Sequence, residues 1–127
     1  LRTVLANCCT GNTITFSPSL NGQTIQLSSP ITIDKTLNIH GPGINQLTIA
    51  GNGTHRIFSI NTGLTNTIKD LSIINGDAGA SMGNVILNGG NLTLQNLLLA
   101  SEPNTMTRVT LSNTAGTVQF TGQVTLQ

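Results

Sequence analysis

Apolar residues in this chain come in short triplets, mostly with a polar residue at the centre, and turn residues separate them. The pattern is clearest from Val85 to Gln127. There the triplets are Val85-Ile86-Leu87, Leu92-Thr93-Leu94 and Leu97-Leu98-Leu99, then Val109-Thr110-Leu111, Val118-Gln119-Phe120 and Val124-Thr125-Leu126. Corresponding positions lie 24 (85 to 109), 26 (92 to 118) and 27 (97 to 124) residues apart. A unit of three short strands that returns at such an interval predicts a β-solenoid, in which each coil stacks on the one before.

The same unit is legible from Ile14 onward. Ile14-Thr15-Phe16, Ile25-Gln26-Leu27, Ile31-Thr32-Ile33, Leu37-Asn38-Ile39, Leu47-Thr48-Ile49 and Phe58-Ser59-Ile60 alternate as strands with one buried face. Thr67 to Ile73 continues the alternation, with a kink expected at Lys69-Asp70. The separators, such as Ser28-Ser29-Pro30 and Asp34-Lys35-Thr36, are too short for helices. Asn21-Gly22, Gly41-Pro42-Gly43 and Gly51-Asn52-Gly53 mark turns. Residues 75–83, rich in Gly and Ala, read as the loosest loop.

Ahead of the strands, Leu1, Val4, Leu5 and Cys8 fall at helical spacing. Residues 1–11 therefore read as a short amphipathic helix, closed near Gly11 by a left-handed glycine. So short a helix is marginal alone in water and needs an apolar surface to rest on. The end of a solenoid core supplies one, so the helix is expected to cap it and to shield unpaired strand edges.

These readings give one domain, residues 1–127, with a cap helix at 1–11 and coils at 13–127. The fold class is all-β: a right-handed, single-stranded parallel β-helix of about four coils. Strands of three residues separated by bends argue against an antiparallel sandwich, whose hairpins join strands of about 5–6 residues. Right-handedness is the rule for parallel crossovers. Stacking like on like predicts an interior column Leu71, Leu97, Val124 and a second column Phe58, Val85, Val109.

Several segments resemble the N-terminal region of large bacterial surface proteins: LRTVLAN, GNTITF, LNGQTIQL, ITIDKTLNIHGPG and LTIAGNGTHRIFSI, all within residues 1–60. The resemblance covers the first half of the chain and departs at Cys8-Cys9. It implies a right-handed parallel β-helix of pectin-lyase-like architecture in a secreted or cell-surface bacterial protein. It carries over no catalytic residue, because most members of that group have no known catalytic role.

Composition narrows the chemistry. Only 7% of residues are charged, against about 25% in typical soluble domains, so the outer surface must be built from Asn, Thr, Ser, Gln and Gly. A net charge of +1 offers no field to attract nucleic acid. With no Trp or Tyr, aromatic stacking platforms for bases or sugars are missing. No apolar run approaches the roughly 20 residues of a membrane-spanning helix. The chain starts at Leu1 rather than Met, as expected of a mature or excised piece.

The acids are Asp34, Asp70, Asp77 and Glu102. A glycosidase needs two carboxylates flanking the scissile bond, and a lyase needs several acids on adjacent coils to hold calcium. Asp77 and Glu102, 25 residues apart, form the one pair at the coil spacing, and both read as turn residues. Asn75-Gly76-Asp77 lacks the alternating ligands of a calcium loop. His40 and His55 lack a third ligand for zinc and read as loop residues. Of the adjacent Cys8 and Cys9, at least one reads as packed against the core. No enzymatic activity, metal or cofactor is expected.

Thr15, Thr32, Thr48, Thr93, Thr110 and Thr125 occupy strand centres and should face outward. They alternate with Gln26, Asn38, Ser59 and Gln119, which suits a neutral wet face better than ice binding. The C-terminal triplet is followed by no capping segment, so its edge and apolar residues are expected to be open. Two explanations fit, a longer chain of the same protein or head-to-tail stacking on a second copy, which builds filaments when the contact does not close. The residues expected at that contact are Val118, Phe120, Val124 and Leu126 at one end, with Leu1, Val4 and Leu5 at the other. The leading functional expectation is an extracellular structural or adhesive module, with surface glycan as a further partner. A carbohydrate-binding or polysaccharide-degrading β-helix is the alternative, and an ice-binding protein the remote one.

Overall fold

The structure is a computed structural model that describes residues 1–77, 85–100 and 111–127. It is a parallel β-solenoid of about four turns with a short N-terminal helix. Helix α1 spans Arg2–Asn7. The strands are β1 (Thr13–Ile14), β2 (Gln23–Gln26), β3 (Ile31–Ile33), β4 (Asn38–His40), β5 (Leu47–Ala50), β6 (Phe58–Ile60), β7 (Thr65–Ile74), β8 (Ile86–Asn88), β9 (Asn91–Ala100), β10 (Leu111–Asn113) and β11 (Val118–Leu126).

All pairings between these strands are parallel, and they define three faces. The first face stacks β1, β4 and the leading halves of β7, β9 and β11. The second stacks β2, β5 and the trailing halves of the same three long strands. The third stacks β3, β6, β8 and β10. In the first two coils a loop separates faces one and two. From β7 onward a single strand turns the corner.

Interior columns follow from the register. Ile14, Ile39, Ile68, Leu94 and Phe120 form one. Leu71, Leu97 and Val124 form another, as the repeat predicts. The third-face column differs from expectation. Phe58 stacks on Ile86 and then Leu111, rather than on Val85; Val109 lies outside the described residues. Val85 sits at the corner before β8, and its carbonyl accepts bonds from Ile57 N and Phe58 N. Val85 and Ile86 are both buried, so strict alternation fails there and the count slips by one.

A second departure concerns the cap. The helix ends at Asn7, with Cys8 already extended, so it is shorter than the 1–11 segment. Gly11 is left-handed, at φ 87°, but it serves a turn in which its N–H donates to Thr36 O (2.7 Å). Six residues leave little helix to hold itself together, so packing decides. Leu5 is buried in the core, and Leu1 and Cys8 pack against it. Arg2 donates to the carbonyls of Pro30 (2.8 Å) and Ser29 (2.7 Å). Lys35 Nζ reaches back to Ala6 O (3.2 Å) and Cys8 O (3.3 Å).

Candidate functional site

Two regions concentrate chemistry: a corner on the first face, and the last layer. The corner is built by residues in the left-handed region inside the long strands: Asp70 (φ 57°), Asn96 (φ 48°) and Gly122 (φ 64°). Asp, Asn and Gly tolerate this conformation better than other residues. They recur at a spacing of 26 (70 to 96, and 96 to 122), so the bend stacks from layer to layer. The expected kink at Lys69-Asp70 is this corner. Asn96 Nδ2 donates to Asp70 Oδ1 (2.9 Å), and Asn96 Oδ1 accepts from Gln123 N (3.2 Å).

The other oxygen of Asp70 faces an imidazole and an ammonium group. Asp70 Oδ2 lies 3.0 Å from His40 Nε2 and 3.8 Å from Lys69 Nζ. His40 and Lys69 are register partners on β4 and β7, so the rung spacing of about 4.8 Å brings their side chains together. Beside them runs a groove of about 310 Å³ lined by Thr13, Asn38, His40, Thr67, Lys69 and Gln95, with Ile39 beneath. Asn38 Nδ2 bonds Thr13 Oγ1 (3.4 Å) along the row.

His40 and His55 are both expected in loops. The structure instead puts His40 in β4, paired with Asp70, while His55 bonds Arg56 O through Nδ1 (2.8 Å). The signal is a spacing: His40 to Lys69 is 29 residues, one coil on. Asp34 contacts Lys35 (3.8 Å) at the surface. Glu102 lies outside the described residues, so the Asp77–Glu102 pairing is not described. Among the described residues, no three His, Cys, Asp or Glu side chains gather as a metal site would require. The strand-centre threonines are dispersed. Thr93 stacks between Thr67 and Gln119 on the first face, Thr48 between Thr24 and Ser72 on the second, and Thr32 beside Ser59 on the third. Thr110 lies outside the described residues.

The last layer presents the C-terminal residues expected at an end contact. Val118 and Val124 are half-buried against the core. Phe120 and Leu126 are 52% and 57% exposed. With Val124 and Gly122 they line an apolar hollow of about 240 Å³. At the opposite end Val4 is 53% exposed on the outer side of α1, whereas Leu5 points into the chain's own core.

Fold and geometry together define a parallel β-solenoid of about four turns with a short helix packed against its first coil. Scans of protein-family models, of curated proteins and of solved structures find no match to this chain.

Proposed function

We propose that this chain is an extracellular structural and adhesive module of a bacterial surface protein, of pectin-lyase-like architecture, that associates end to end. One observation carries the association. The large apolar side chains most exposed among the described residues are Val4, Phe120 and Leu126, and all three lie at the ends of the solenoid. The flanks are neutral and polar. A contact between α1 of one copy and the β11 layer of the next is heterologous, so it propagates. Burying side chains of this size contributes about 1.5–3 kcal/mol each. The bacterial surface setting rests on the sequence resemblance in residues 1–60.

Negative-stain electron microscopy of the purified chain tests the association. Strings or short rods that lengthen with concentration are the expected result. Dispersed single particles across the accessible concentration range would refute it.

A further inference from the structure

Two Asn-x-Thr sequons lie in the chain, Asn52-Gly53-Thr54 and Asn91-Leu92-Thr93. This is the acceptor pattern for an N-linked sugar, and the structure separates the two. Asn91 heads β9, where Leu92 and Thr93 have strand partners on both sides, in β7 and β11. Asn91 Oδ1 accepts from the N–H and the hydroxyl of Thr117 one coil on, both at 3.1 Å. That tripeptide cannot bend into a transferase without giving up ladder hydrogen bonds. Asn52 stands in the loop between β5 and β6, and both it and Thr54 are exposed. Here the threonine meets its own asparagine: Asn52 Oδ1 accepts from Thr54 Oγ1 (2.6 Å) and Thr54 N (3.1 Å). Gly53 supplies the left-handed turn at φ 71°, and its N–H donates to Asn75 O (3.1 Å), which holds the turn on the neighbouring coil. Among the described residues no hydrogen bond engages Asn52 Nδ2, so the reacting nitrogen is free.

We infer that Asn52 is an N-glycosylation site, modified in the folded chain, and that Asn91 is not. The inference goes beyond the end-to-end reading and does not depend on it. The donor is a sugar whose anomeric carbon carries a phosphate leaving group, as in a nucleotide sugar or a lipid-linked oligosaccharide. An amide nitrogen is a poor nucleophile because its lone pair is delocalised into the carbonyl. The Thr54 hydroxyl bonded to Oδ1 polarises the amide and makes its N–H more acidic. As Nδ2 attacks the anomeric carbon, its proton passes to a base of the transferase. The bond from that carbon to the phosphate oxygen breaks, and the phosphate leaves with the electron pair. A C–N bond replaces a C–O bond, and nothing is oxidised or reduced. The attached sugar would hydrate a flank that carries little charge of its own.

The test exposes the folded full chain to two enzymes and maps its peptides by mass spectrometry. One arm uses a soluble sequon-specific N-glycosyltransferase with UDP-glucose. The other uses a membrane oligosaccharyltransferase with its lipid-linked oligosaccharide. An unstructured acceptor peptide in each arm confirms that the enzyme is active. Sugar on the Asn52 peptide in either arm is the expected result, and the arm that supplies it identifies the donor. Thr54→Val should abolish the modification, and Thr54→Ser, which retains the hydroxyl, should keep it. Circular dichroism of each variant confirms that the fold is retained. Sugar on Asn91 of the folded chain, no sugar on Asn52 in either arm, or undiminished modification of Thr54→Val overturns the inference.

Discussion

Asn96 and Asp70 occupy the same left-handed backbone position one rung apart, and a 2.9 Å hydrogen bond joins their side chains. The pair lets a ten-residue strand turn a corner without a loop. Asn96→Ala should cost about 2–3 kcal/mol: about 1–2 for placing alanine in the left-handed region and about 1 for the lost bonds. Asn96→Gly keeps the backbone at ease and should cost about 1 kcal/mol or less. Urea unfolding of the two variants separates the contributions, and equal losses would show that conformation is not the governing term.

Gly41 meets the same corner one layer earlier. A Cβ there would run into the carbonyl oxygen of Asp70 and approach Leu71 Cβ to 2.7 Å. The obstacle is backbone, held by Gly41 N to Lys69 O (2.9 Å) and Gly43 N to Asp70 O (2.7 Å). Gly41→Ala should therefore destabilise by about 1–3 kcal/mol through overpacking. A drop in the thermal midpoint checks it; an unchanged midpoint would mean that the second and third coils can separate at this point without loss.

The cap should matter through its apolar contact more than through its polar ties. Leu5→Ala removes a buried side chain from the end of the core and should cost about 2–5 kcal/mol. Arg2→Gln breaks exposed bonds to Ser29 and Pro30 and should cost about 1 kcal/mol or less. Hydrogen exchange gives a local readout. In Leu5→Ala the amides of β1 and β4 should lose protection ahead of those in β7 and β9.

The last layer offers the opposite case. Phe120 and Leu126 lie over Leu94 and Leu99 in the register but keep about half of their own surface exposed, so Phe120→Lys with Leu126→Lys should cost about 1–2 kcal/mol, less than a truncation inside the core. The same double variant should abolish strings in the microscope, because it charges an apolar contact. Persistent strings would place the contact elsewhere.

The sequence made most of this architecture legible because the core is one-dimensional. Leu71, Leu97 and Val124 are equivalent at fixed spacing, so the pattern repeats where the contacts repeat. It misled where a coil turns. At Val85-Ile86 both residues are buried, and alternation alone cannot tell which of them heads the strand. It also hid the His40–Asp70–Lys69 cluster. A histidine at a strand end next to Gly41-Pro42-Gly43 looks like a loop residue until the register sets it beside a residue one coil on. The apolar stripe overstates the helix, because Cys8 continues the stripe while already extended in the chain.

The capped first coil and the parallel register together have a consequence in the order of synthesis. α1 and its coil are made before anything that stacks on them. Each later coil pairs only with a layer roughly 25 residues back, already complete and already shaped at the corner by the preceding left-handed residue. The chain can therefore assemble in the order in which it is translated, one layer at a time. The helix is then already in place when the strands of the second coil arrive.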